Sequence, residues 1–156
     1  MNGRDTNSAD AKLNFHGDDV APSTPESALF HVIPVPYEKT VSYGHGTAAG
    51  PEAILKASAQ LETFDGRSTP ADEGIYTADP VDVSGEAEVA LANIRAAVAK
   101  SLSFPKAVPV VLGGEHTISS AVIAAFAEKL GPGKLGVVHF DAHCDTWADD
   151  GSRIDH

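Results

Sequence analysis

Two valine-rich runs without polar alternation, Val108-Pro-Val-Val-Leu112 and Leu135-Gly-Val-Val-His-Phe140, constrain this chain more than any other feature. A strand with one face in water alternates apolar and polar residues. A run apolar on both faces needs cover on both sides, which is the situation of parallel sheets sandwiched by helices. Between the two runs, Ile118, Val122 and Phe126 recur four apart, as on one face of a helix, and Gly131-Pro132 stops it. Strand, helix and strand at this spacing predict a βαβ unit, with the second strand parallel to the first after a right-handed crossover.

The same reading extends upstream. Ala28 to Pro36 is an apolar run ending in proline and predicts a first buried strand, followed by a loop over 37–50 that turns at Gly44, Gly46 and Gly50. Pro51 suits the first position of a helix running to Leu61, because its missing N–H would be unpaired there anyway. Residues 63–74 are loop. Ile75 to Val83 predicts a second strand, placed at an edge by Pro80. Ser84 is the candidate cap of a helix whose buried face carries Leu91, Ile94, Val98 and Leu102. Residues 1–27 are polar, lack either periodicity and are expected to form a mobile leader, leaving 28–156 as one folded unit.

Composition narrows the function. Twenty-two acidic against 11 basic residues give a net charge of −11, which disfavours nucleic acid or an anionic membrane as partner and suits a cationic small molecule. Cys144 is the only cysteine, so no internal disulfide can form and a reducing compartment is expected. There is no apolar run of about 18 residues to span a membrane, and the first ten residues lack the apolar core of a secretory signal. A cytoplasmic enzyme or binding protein is the expectation.

In open parallel sheets, ligands sit beyond the carboxyl ends of the strands. The first valine-rich run ends in Gly113-Gly-Glu-His116 and the second in Asp141-Ala-His-Cys-Asp145. Asp141, His143 and Asp145 alternate, so on extended backbone all three face one way while Cys144 faces the other. Carboxylate oxygens mixed with imidazole nitrogens suit a borderline-hard divalent ion such as manganese, and a carboxylate can bridge two of them. A lone histidine or aspartate at a strand end is more often a hydrogen-bonded core residue or a helix cap, and His16, His31, His45 and His139 receive that plain reading. Several acidic groups gathered at one sheet edge would be costly without a cation.

These residues resemble the ureohydrolases, the family of arginases and agmatinases. Gly113-Gly-Glu-His-Thr117 is similar to their Gly-Gly-Asp-His-Ser/Thr motif, and Val138 to Asp145 to their Asp-Ala-His-x-Asp motif. Val35-Pro-Tyr-Glu, Ser42-Tyr, Gly46-Thr and Gly50-Pro are similar to their N-terminal loop. The resemblance covers about residues 30–156 and implies an α/β three-layer sandwich on a parallel sheet, incomplete on its C-terminal side.

By motif position, the resemblance implies two Mn2+ ions per complete site. His116 and Asp145 would bind the first, His143 the second, and Asp141 would bridge both. Glu115, where Asp is commoner, would support the loop. His156, the last residue, would open a His-Gly motif near the guanidino group and serve in proton transfer. The family's later Asp-x-Asp motif lies beyond this chain, which implies the N-terminal portion of a single ureohydrolase domain, inactive by itself. The implied reaction is manganese-dependent hydrolysis of a guanidino compound to urea and an amine. Agmatine to putrescine is preferred over guanidinobutyrate, guanidinopropionate and formiminoglutamate, and the whole protein is expected to be a homo-oligomer. The competing readings are an inactive remnant acting as an interaction module, and a single-zinc deacetylase of related architecture. The deacetylases lack the Gly-Gly-Glu/Asp-His ligand.

Overall fold

The computed structural model describes residues 12–143. Its elements are β1 (Phe30–Val35), α1 (Gly50–Ser58), β2 (Ile75–Thr77), α2 (Ala87–Ser101), β3 (Val108–Gly113) and α3 (Ile118–Leu130), with single 3-10 turns at Thr47–Ala49 and Pro70–Glu73. The strands form a parallel sheet in the order β2-β1-β3, with Phe30 level with both Ile75 and Val108.

β1 is the centre because its apolar residues feed two cores. Ile33 and Val35 pack with Ala90, Ile94 and Val98 of α2 and with Ile118, Ala121 and Ala125 of α3. Val32, pointing the opposite way, packs with Leu55 of α1, Ala71 and Ile75. Alternation along one strand therefore produces three layers. Ile94 and Val98 are fully buried, and each such side chain contributes about 1.5–3 kcal/mol relative to an exposed one.

The prolines explain the sheet's limits. Val108 and Gly114 donate their N–H groups to Leu29 and Val35, so the even-numbered residues of β3 face β1. Pro109 therefore faces the edge that carries no partner strand among the described residues, where a missing N–H breaks no ladder bond. On the other side, β2 ends at Thr77 rather than reaching Val83 as expected. The next position of β1 is Pro34, which has no N–H to offer, although its carbonyl still accepts from Val81. α2 starts later than expected: Glu86, in extended conformation, occupies the cap position. Ser84 instead donates its N–H to Asp82 at 2.9 Å.

The strand expected over 135–140 is absent, and with it the second half of the βαβ unit. Val137, Val138 and Phe140 are 57, 81 and 94 % exposed. The run has a buried strand's composition, but a strand exists only through ladder bonds to a neighbour, and no described strand pairs with it.

Some of the segment read as a leader is tied to the fold. Phe15 donates its N–H to Thr77 Oγ1 at 3.0 Å, His16 to Ser58 Oγ at 2.9 Å, and Ser23 to the Ile75 carbonyl at 3.1 Å. Phe15 and Val20 pack on the second core. Among the described residues, no helix is long and apolar enough to cross a membrane.

Candidate metal centre

Of the two glycines at the end of β3, Gly114 is a packing requirement. A Cβ on Gly114 would stand 2.0 Å from the Tyr37 carbonyl oxygen, and one on Gly113 would stand 2.4 Å from Ile118 Cδ1. Only glycine lets the strand end pass this close to the neighbouring backbone. The approach is fixed by the Gly114 N–H on the Val35 carbonyl and the Glu115 N–H on the Tyr37 carbonyl, both 3.1 Å. Tyr37 is itself fully buried. Its phenol is pushed up first by that burial and then by Glu115 and Glu88, so it stays neutral.

Glu115 supports the loop across from it. Its carboxylate accepts the N–H of Lys39 at 3.2 Å, the N–H of Thr40 at 2.9 and 3.1 Å, and the Thr40 hydroxyl at 2.7 Å. The Thr40 and Thr117 hydroxyls meet at 2.8 Å, and Thr117 is the cap residue of α3. The strand end, the loop and the start of α3 are thus one hydrogen-bonded unit, with His116 in its middle.

Glu38 has a similar role at the far end of the loop. It accepts the N–H groups of Gly46 and Ala48, the Thr47 hydroxyl and the His45 ring. Those bonds, led by the Ala48 and Gly46 N–H groups, lower its pKa to about 2. Gly46 adopts φ 118°, a conformation that excludes most side chains. Sequence reasoning placed Glu38 in the Val35-Pro-Tyr-Glu stretch but gave it no role of its own. The available signal was an acidic residue eight to ten positions before a Gly-Thr-Ala turn.

Asp141 gathers histidines around it. Its Oδ2 lies 3.5 Å from Nδ1 of His116 and 3.4 Å from Nε2 of His139, and its Oδ1 lies 3.5 Å from Nδ1 of His143. Oδ1 also accepts the His143 N–H at 2.9 Å. The carboxyl is held below the ordinary carboxylate range, first by that N–H and then by His139, His116 and His143. His116 and His139 stand with ring centroids 5.1 Å apart. One ligand atom from each of His116, His139 and Asp141 falls within a 4.8 Å span. Two imidazole nitrogens and an anionic oxygen at that span fit a divalent first-row ion.

Of the residues singled out from sequence, His116 and Asp141 are brought together, and His143 joins through Asp141 with its own side chain 82 % exposed. Asp145, Cys144 and His156 lie outside the described residues. His139 corrects the plain reading it was given. It is not a core histidine in a strand, because 135–140 forms none, and its half-exposed ring faces Asp141. His31 keeps that reading, buried with Nε2 on the Pro25 carbonyl and Nδ1 on Ser101, both at 3.0 Å. A cavity of about 490 Å³ between α2 and the β1–β2 edge, lined by His31, Tyr76, Asp82 and Lys100, contains none of the cluster's residues.

Known proteins resemble the chain in both sequence and fold. A family model described as Arginase family matches residues 28–156. The chain is 38% identical over 135 residues to the N(1)-aminopropylagmatine ureohydrolase of Thermus thermophilus, covering 84% of this chain and 45% of that protein. It is 38% identical over 130 residues to the agmatinase of Neisseria gonorrhoeae, covering 78% and 40%. Among solved structures, a hypothetical agmatinase from Burkholderia thailandensis superposes with a TM-score of 0.74 at 26% identity, covering 92% of this chain and 46% of that one. The arginase of Medicago truncatula does so at 0.68 and 28%, covering 83% and 43%. The chain thus spans less than half the length of these curated relatives.

Proposed function

The chain belongs to the arginase family, and on that premise we propose that the whole protein hydrolyses a cationic guanidino compound to urea and an amine, with agmatine as the preferred substrate and putrescine as product. The observation that carries the reading is the convergence of His116 and Asp141 beyond the carboxyl end of β3, in a chain whose relatives are ureohydrolases.

Two manganese ions, held through His116, Asp141, His143 and Asp145, would supply a water acidified toward neutrality as nucleophile for the planar guanidinium carbon. The chain's own residues prepare for this. The His143 N–H pins one oxygen of Asp141 and leaves the other toward His116 and His139. Because the Asp141 carboxyl is held below the ordinary range, protons compete little with a cation for it at neutral pH. Glu115 fixes the loop from which His116 projects. His156 is assigned the proton transfer near the guanidino group. The net charge of −11 favours a cationic substrate. The reading includes a reducing, cytoplasmic setting, from the lone Cys144, and a homo-oligomeric whole protein.

A second substrate has support of its own. The first relatives matched are N(1)-aminopropylagmatine ureohydrolases, so agmatine extended by an aminopropyl arm is the alternative within the same chemistry. Urea release by the full-length protein with manganese, from agmatine, N(1)-aminopropylagmatine and arginine, tests both. The first two should turn over faster than arginine. Faster turnover of the extended amine would shift the assignment to it, and arginine as the best substrate would overturn the reading.

A further inference from the structure

We propose that Thr40 is a positioning residue for the metal centre: its hydroxyl ties together both sequence neighbours of His116 and so sets where that imidazole stands when an ion binds. The proposal rests on the reading of His116 as a ligand. It adds a residue that lies between Val35-Pro-Tyr-Glu and Ser42-Tyr, in neither of them. Thr40 stands 75 positions before Glu115 and 77 before Thr117, so the tie is made by the fold and not by local sequence.

The direction of the hydroxyl bonds carries the assignment. A threonine hydroxyl has one proton to give and lone pairs with which to accept. Thr40 donates its proton to the Glu115 carboxylate at 2.7 Å, so its 2.8 Å contact with Thr117 requires the Thr117 hydroxyl to donate to Thr40. The chain from Thr117 through Thr40 to Glu115 is therefore ordered, and both of its links run through Thr40. The Thr40 N–H reaches the two oxygens of the same carboxylate at 2.9 and 3.1 Å. Glu115 is held a second time by its own N–H on the Tyr37 carbonyl at 3.1 Å, and the His116 carbonyl accepts the Ser119 N–H at 2.9 Å. Thr117 is buried at the cap of α3.

Both flanks of His116 are thus held while its side chain, 37 % exposed, brings Nδ1 to 3.5 Å from Asp141. A ligand has to be kept within about 0.5 Å of its productive place by the groups that support it. Valine at position 40 would keep the branched shape and remove the hydroxyl. The Thr117 hydroxyl would then lose its acceptor and Glu115 its 2.7 Å donor. Serine would keep both links and lose only a methyl group.

Manganese binding to the full-length protein, measured by equilibrium dialysis without substrate, is the test. Thr40→Val should weaken binding by about 10-fold or more, the size typical of lost support to a ligand, while Thr40→Ser stays within about 3-fold of wild type. Thr117→Val cuts the same chain at its other end and should also weaken binding, so the test stands even if Thr40→Val fails to fold. Wild-type binding in either valine variant would overturn the proposal. A loss in Thr40→Ser as large as in Thr40→Val would overturn it too, because the effect would then belong to packing of the methyl group and not to the hydroxyl. The measurement needs no turnover, so failure here leaves the guanidino-hydrolysis reading standing. A wild-type protein that binds manganese but releases no urea would overturn that reading alone.

Discussion

His116 and Asp141 approach to 3.5 Å, but they arrive from opposite kinds of surroundings. His116 follows a strand end wedged against the Tyr37 backbone and is flanked by Glu115 and Thr117, both bonded to Thr40. Asp141 follows a run in which Val138 is 81 % and Phe140 94 % exposed, outside every described strand. One side of the centre is positioned by packing and by hydrogen bonds within the loop. On the other, the Asp141 carboxylate accepts the His143 N–H and stands 3.4–3.5 Å from three imidazole nitrogens. A cation therefore has more to organise on the Asp141 side than on the His116 side.

Substitutions should separate the two sides. Gly114→Ala forces a Cβ to within 2.0 Å of a backbone oxygen, and rigid backbone yields less readily than a side chain. It should cost about 3 kcal/mol or more, read as a fall in the urea unfolding midpoint. A loss below about 1 kcal/mol would mean that the wedge does not constrain the strand end. Glu115→Ala removes the acceptor for two loop N–H groups and a hydroxyl. It should cost about 1–3 kcal/mol by the same assay.

Acid should loosen the packed side through Glu38. Its folded pKa of about 2 lies below the ordinary value of 4.5, so its contribution is complete above the ordinary value and is lost as pH falls through the folded one. Amide exchange at Gly46 and Ala48, corrected for its intrinsic pH dependence, should accelerate as pH is lowered from about 4.5 to about 2. Loss of protection already at about pH 6 would show that other groups hold the turn. The smallest effect belongs to the exposed side. Phe140→Ser should change stability by no more than about 0.5 kcal/mol, and a larger loss would place Phe140 in a core that its 94 % exposure excludes.

This contrast also explains what could be read in advance. The packed side was legible because local pattern and tertiary role agree there. β1 and β3 are apolar runs, α2 and α3 follow helical apolar spacing, and Pro51, Gly131 and the Gly113-Gly114 pair mark element ends. Asp141 and His116 were legible as partners because both follow valine-rich runs. The run 135–140 misled because composition records a demand for burial, whereas strand formation depends on a neighbour that no local pattern specifies. His139 was misassigned for the same reason, since its plain reading assumed the strand. β2 is shorter than expected because the limiting residue, Pro34, lies on another strand. The role of Glu38 was not legible because an acidic residue in a loop has no periodicity to betray the N–H groups it collects.

The central claim, that the His116 side is prefolded and the Asp141 side is organised by a cation, is tested most directly by amide hydrogen exchange of the chain with and without excess manganese. Exchange should slow over residues 138–143 and stay unchanged over 108–117 when manganese is added. Equal protection of both segments, or none over 138–143, would contradict the claim.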